Sequence, residues 1–230
     1  MEGNDVGAAL ARSIRTTGRK CLVAGTLLLG VLAALGVIAG ATPDERTFAA
    51  VADPVQSAMS ILVPLIGVLL VSDVRRDRTL PLAPTWVAGV LLAAAIGAFG
   101  GLVSAVALAV VPSDVDAWHQ VGAIVVGGVL VQMVAMLVGT GLGLLLRPAV
   151  VAFLATIVLP LGLWYVLGAV EDIQGWLTPY PSVRKLLAGE MTLGGWARWI
   201  AVVALWDVGP NAVGAARLNR RRAAEPAASR

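Results

Sequence analysis

Six long apolar stretches, parted by charges, prolines and glycines, dominate the chain. The first charge-free run extends from Cys21 to Pro43, the second from Pro54 to Ser72 around Pro64, and the third from Thr79 to Ser113. The fourth covers Val121 to Leu146, the fifth Ala149 to Val170, and the sixth, about Trp199 to Leu218, contains Asp207. A helix needs about 20 apolar residues to cross the hydrocarbon core of a bilayer. The pattern therefore predicts spans at about 21–41, 54–72, 86–111, 121–146, 149–170 and 199–218. The third starts late, at Trp86, because Pro81 and Pro84 delay its helix, and Pro112 ends it. Runs four and five joined as one helix would measure roughly 75 Å at about 1.5 Å per residue. That exceeds any bilayer, so Arg147-Pro148 is read as a tight turn between antiparallel helices. A full-length first run after a long preceding segment argues against a cleaved signal peptide.

Composition strengthens this reading. Of 230 residues, 58% are hydrophobic and only 13% charged, with mean hydropathy +0.86. Soluble domains carry about 25% charged residues, and a domain of this length still exposes much of its surface. Lipid must cover the remainder. The expected fold class is an all-α integral membrane protein, a six-transmembrane-helix bundle in a single domain over 1–230. Cys21, the one cysteine, leaves no disulfide framework within the chain and reads as a buried, inert thiol. Arginine in place of lysine, with abundant Ala, Val, Gly and Leu, points to a high-GC bacterium and so to a bacterial cell membrane.

The charges set an orientation. Arg12, Arg15, Arg19 and Lys20 precede the first span; Arg75, Arg76 and Arg78 follow the second; Arg147 follows the fourth; Arg217, Arg220, Arg221, Arg222 and Arg230 close the chain. These alternate segments hold 13 of the 17 Lys and Arg, whereas the opposite side is rich in Asp and Glu. The positive-inside rule then puts both termini in the cytoplasm, which requires an even number of spans. The same siting accounts for the net charge of +3 without nucleic acid. Trp118, Trp176, Trp196 and Trp199 fall at the outer surface and Trp86 at the inner one, where indole prefers the headgroup level. Trp206 lies deeper and is expected to pack against another helix.

Two segments are too short or too polar to span. In residues 1–20, Val6, Leu10 and Ile14 recur every four residues, predicting an amphipathic helix in the inner interface. Residues 171–198 are divided by prolines and glycines but remain apolar, predicting one or two short helices on or re-entering the outer leaflet. Residues 219–230 read as a basic cytoplasmic tail.

Catalytic and nucleotide motifs are missing from the sequence. It has no phosphate-loop lysine motif, no His-Glu-x-x-His and no Gly-x-Ser-x-Gly. Gly36 with Gly40, Gly97 with Gly101 and Gly139 with Gly143 stand four apart, the spacing that lets helix backbones approach. Asp207 is read as the one acidic residue inside a span and Gln132 as the other polar group at depth. Each is a candidate for a transport path, with a structural hydrogen-bonding group as the alternative.

In order, these features resemble the permease subunit of type-2 ATP-binding cassette exporters, particularly actinobacterial members. The resemblance rests on Pro64 to Thr79, where an apolar run leads to Asp73 and then Arg75, Arg76, Arg78 and Thr79. It continues at Gly141 to Pro148, at Trp176-Leu177, Leu186 to Met191 and Gly195 to Arg198, and at Ala215 to Arg222. It implies a subunit without its own ATPase, working as a homodimer or paired permease with a separate ATP-binding subunit that carries ATP and Mg. It also implies that Asp73, Arg75, Arg76, Arg78 and Thr79 form the ATPase-coupling loop. That loop departs from the family in being short, with Pro84 to Val87 where basic residues are usual. No cofactor is expected in this chain. The expected function is export of an amphipathic or hydrophobic compound. The alternatives are a non-transporting membrane anchor or immunity protein, and an ion-coupled secondary transporter, for which no inverted repeat is visible.

Overall fold

The computed structural model describes residues 2–228 except 78, 112, 114 and 115. The described residues form eleven α-helices and one π-turn, with no strand. They are α1 Glu2–Ser13, α2 Thr17–Gly40, α3 Phe48–Ser60, α4 Val63–Arg76, α5 Leu82–Ala109 and α6 Val121–Leu145. There follow α7 Ala149–Val166, α8 Glu171–Leu177, α9 Tyr180–Ala188, α10 Leu193–Val203, a π-turn at Ala204–Val208, and α11 Gly209–Ala228. Six helices are long and apolar enough to cross a bilayer, with α3 and α4 making one of them and α10 with α11 another. By length and composition the architecture is compatible with a multi-pass membrane protein.

Capping explains where the helices begin. Thr16 Oγ1 accepts from the Arg19 backbone N–H at 3.4 Å, so α2 starts at Thr17, four residues before the expected 21. Thr47 Oγ1 accepts from the Ala50 N–H at 3.2 Å and starts α3 at Phe48, six residues before 54. Asp53 thereby enters a span-forming helix, as does Asp73, so Asp207 is not the one acidic residue in such helices. The third span starts at Leu82 rather than Trp86, because Pro81 serves as N-cap and Pro84 occupies the first turn, where no N–H is required. The fifth helix stops at Val166, short of 170, and the sixth begins at Leu193 rather than 199. Residues 219–228, read as a tail, continue α11.

The second span is broken at Ile61 and Leu62. Pro64 has no N–H to offer the Ser60 carbonyl, and the chain tightens instead into three-residue bonds, Ile61 N–H to Ala58 O and Leu62 N–H to Met59 O. A second irregularity sits in the last span. Pro210 lacks an N–H, and Gly209 N–H reaches back five residues to Ala204 O, which widens the helix into a π-turn.

Helix α6 stands at the centre and touches α3, α4, α5, α7, α9, the π-turn and α11. Lipid tails are as apolar as leucine, so helices in a bilayer are held by close packing rather than by hydrophobic exclusion. Helices α4 and α6 approach backbone to backbone. A Cβ on Gly139 would lie 2.1 Å from the Pro64 carbonyl oxygen, and one on Gly67 would lie 2.4 Å from the Met136 oxygen. Gly97 and Gly101 similarly seat α5 on α6 at Val129 and Val125. Gly36 and Gly40 face open space, so the third small-residue pair packs against nothing among the described residues. The turn at Arg147-Pro148 does return α7 along α6: Val131, Val138, Thr156 and Pro160 line one common cavity.

Helix α1 lies against α5. Its inward line is Val6, Ala9, Leu10 and Ser13, whereas Ile14 falls past the helix end and is exposed. Cys21 is exposed on the outside of α2, not buried. One end of the bundle gathers Arg19, Asp73, Arg75 and Arg222, and is called here the basic end. At the opposite end Phe48 donates its N–H to Ala117 O and stacks on Trp118, 6.3 Å between ring centroids. Two left-handed residues also meet there, Gln120 (φ 55°) and Gly189 (φ 74°); a side chain on Gly189 would strike the Gln120 amide.

Candidate functional site

At the basic end, the last turn of α4 is turned inward. Arg19 Nη2 donates to Asp73 Oδ2 at 2.7 Å and to Leu69 O at 2.9 Å, while its Nη1 donates to Arg12 O at 3.0 Å. Asp73 therefore holds the first turn of α2 against α4. Arg75 Nη1 donates to Gly143 O at 2.5 Å and Leu146 O at 2.6 Å, filling carbonyls that the end of α6 leaves open. Beyond them Arg76, Asp77 and Thr79 are exposed. Thr79 donates both its N–H and its hydroxyl to Asp77 Oδ1, at 3.0 and 2.6 Å, which holds the Asp77 carboxyl below the usual carboxylate range. Arg222 Nη2 donates to Leu80 O at 2.9 Å and pins the loop to α11. Arg78 lies outside the described residues.

The buried polar groups form two separate nodes on α6. Gln132 Nε2 donates to Gln56 O and Gln56 Oε1, both at 2.9 Å, and Gln56 Nε2 donates to Gly97 O at 2.8 Å. Three helices are thus joined by two amides. Gly100 and Gly128 make room for them, since a Cβ at either would lie within 2.7 Å of Gln56 Nε2. Gln56 escaped the sequence reading. Its signal was a lone glutamine between Val55 and Ser57, two residues into the expected second span.

The second node lies eight residues along α6, about 12 Å at 1.5 Å per residue. Asn211 Nδ2 donates to Leu137 O and Asp207 O, and its Oδ1 accepts from Thr140 Oγ1, each at 2.8 Å. Asp207 is 2% exposed, and neither carboxyl oxygen has a donor among the described residues. A bare carboxylate in such surroundings is costly, which makes Asp207 the least satisfied group of the bundle interior. Gln132 and Asp207 do not meet.

Beside these nodes runs a cleft between α3, α7, α9 and the last span. One chamber, about 520 Å³, is lined by Ser57, Ser60, Pro64, Val131, Thr156, Pro160, Tyr180 and Trp206 among others. A second, about 580 Å³, adjoins it through Ser57, Tyr180 and Val183 and is lined also by Asp53, Trp164 and Arg184. Each falls in the size range of small-molecule sites. The wall hydroxyls of Ser60 and Thr156 are spent on backbone carbonyls, and Trp206 Nε1 donates to Leu177 O at 2.8 Å. Ser57 Oγ donates to Asp53 Oδ1 at 3.2 Å, so the first chamber is largely apolar, at a place where both irregular spans meet. Val131 and Trp206 line it, but their neighbours Gln132 and Asp207 do not. Among the described residues no three His, Cys, Asp or Glu side chains gather into a metal-binding group.

No family model, curated protein or solved structure matches the chain. Its function therefore rests on the geometry above and on the order of sequence features.

Proposed function

We propose that this chain is the membrane-spanning permease subunit of a type-2 ATP-binding cassette exporter, moving an amphipathic or hydrophobic compound across a bacterial cell membrane. The observation that carries the proposal is the largely apolar chamber beside α6, walled by Ile61 at the break in the second span, by Pro160 and by Trp206 of the π-turn. A cavity at discontinuities of several spans combines room for a ligand with backbone that bends at low cost. In this reading the basic end faces the cytoplasm, and α8 and α9 are the re-entrant helices of the outer leaflet. Helix α9 packs on α6 at Gly127, six residues in from the start of that helix, which supports such a placement. A homodimer or paired permease acts with a separate ATPase that holds ATP and Mg, and the movement of that ATPase enters through the loop after α4.

Co-purification with an ATPase encoded beside this chain, followed by ATP hydrolysis in lipid, tests the proposal. A stable complex whose hydrolysis responds to hydrophobic compounds is expected. Failure of the two to associate refutes it. A second reading, a non-transporting anchor or immunity protein, draws on one observation: Asp73 and Arg75 are engaged within the bundle, leaving a small exposed surface for a partner.

A further inference from the structure

We infer that the basic end holds a binding site for a phosphate group, and that its occupant is the headgroup of an anionic phospholipid. The site is a concavity of about 260 Å³ into which three parts of the chain bring four arginines. Arg75 comes from the end of α4, Arg147 from the α6–α7 turn, and Arg217 and Arg221, one helical turn apart, from α11. No carboxylate lines it. The ion pairs among the described residues are made elsewhere, by Arg19 with Asp73 and His119 with Asp116.

Scattered surface arginines need no explanation beyond hydration and membrane topology. This set differs because it is concave and built. Gly214 lets α11 close on α6, since a Cβ there would lie 2.5 Å from the Leu144 Cβ. Arg75 is fixed through its Nη1 to two carbonyls, and its Nε and Nη2 have no protein acceptor among the described residues. Like charges gathered in a concavity repel one another, and an anion with several oxygens relieves that repulsion. Guanidinium groups meet phosphate oxygens in paired bonds, which suits a tetrahedral phosphate better than a single carboxylate. Leu144, Leu145 and Leu218 also line the site, at the end of apolar spans where acyl chains would lie. Basic pockets between spans at the membrane surface recognise anionic headgroups on these grounds. The inference does not depend on a transport function.

The test uses the full chain in phosphatidylcholine nanodiscs doped with phosphatidylglycerol, with bound lipid counted by native mass spectrometry. Phosphatidylglycerol is expected to be retained over phosphatidylcholine. The double variant Arg217→Gln, Arg221→Gln is expected to lose about 100-fold in retention, the loss of two charge-assisted bonds to the phosphate oxygens. The Lys versions of both should recover part of it. The pair Arg15→Gln, Lys20→Gln removes the same charge from exposed positions outside the pocket and is expected to change nothing. Arg147→Gln alone gives an independent reading if the double variant does not fold. A parallel arm titrates inorganic phosphate into phosphatidylcholine-only nanodiscs, followed by phosphorus NMR. Phosphate binding that vanishes in the double variant would assign the site to free phosphate instead of lipid. Equal loss in the control pair, or retention of neither ligand, overturns the inference.

Discussion

Replacing Gly139 and Gly36 each by alanine separates two positions that look alike in sequence. Both begin a four-residue glycine pair within an apolar span. At Gly139 the new Cβ would sit 2.1 Å from Pro64 O and 2.7 Å from Pro64 C and Cα, all backbone atoms. An ordinary carbon–oxygen contact is about 3.3 Å, so α4 and α6 must separate by roughly 1.2 Å at their closest point. No rotamer can yield, and the reciprocal contact of Gly67 on Met136 O opens with it. Overpacking costs about 1–3 kcal/mol, and a backbone-on-backbone clash belongs at the upper end. At Gly36 nothing lies within 4 Å, so alanine there should stabilise by about 0.5–1 kcal/mol through lower backbone entropy. For a chain of this size about 3 kcal/mol corresponds to roughly 6–12 °C in unfolding midpoint. Tryptophan fluorescence during heating in detergent reads the difference. Equal midpoints for the two variants would refute the claim that α4 and α6 are in backbone contact.

Further outcomes follow from the buried polar groups. Gln56→Leu and Gln132→Leu should couple by about 1 kcal/mol in a double-mutant cycle, within the span measured for hydrogen bonds between membrane helices; strictly additive effects would mean the amides do not meet. Asp207→Leu removes a carboxyl with no donor among the described residues and should stabilise the chain by about 1–3 kcal/mol, seen as a raised unfolding midpoint. A lowered midpoint would show that the carboxyl has a partner after all. Asp207→Asn that impairs transport but not ATPase binding would give the residue a functional role. Arg19→Gln should destabilise more than Asp73→Asn, because it also forfeits the bonds to Leu69 O and Arg12 O; the reverse order in the same melting assay would contradict this.

The existence and order of the six long helices were legible because a run of about 20 apolar residues has few other uses. Their boundaries were less so. A charge-free run puts the second start at Pro54, and Pro84 reads as a delay to the third, yet Pro54 sits within α3 and Pro84 in a first turn that needs no N–H. The caps at Thr16 and Thr47 are local signals of the familiar kind and would have corrected two starts. Facing was illegible for a different reason. When a helix is apolar all round, periodicity does not distinguish the side that meets protein from the side that meets lipid. Cys21 was placed inside and lies outside, and Gly36 could not be told from Gly139. The polar nodes depend on contacts far apart in the chain: Gln56 to Gln132, Thr140 to Asn211, Arg19 to Asp73. A single sequence offers the residues but not their pairing.

That pairing changes what the basic end can do for a partner. Counting charges treats Arg19, Arg75, Arg76 and Arg222 as equivalent markers of one membrane face. In the fold, Arg19 is joined to Asp73, Arg75 to the end of α6, and Arg222 to Leu80 O. Arg76, with Asp77 and Thr79, remains turned to solvent. If an ATPase docks on this loop, its contact must be made at Arg76 to Thr79 rather than at Asp73 or Arg75. Arg76→Glu should then abolish co-purification of the ATPase while leaving the melting midpoint unchanged. Arg75→Gln should do the reverse, costing about 2 kcal/mol for bonds from a charged donor to carbonyls that are only partly shielded. Loss of the partner in Arg75→Gln without loss of stability would show that this side chain leaves α6 to reach the ATPase, and that the inward geometry describes only the unpartnered chain.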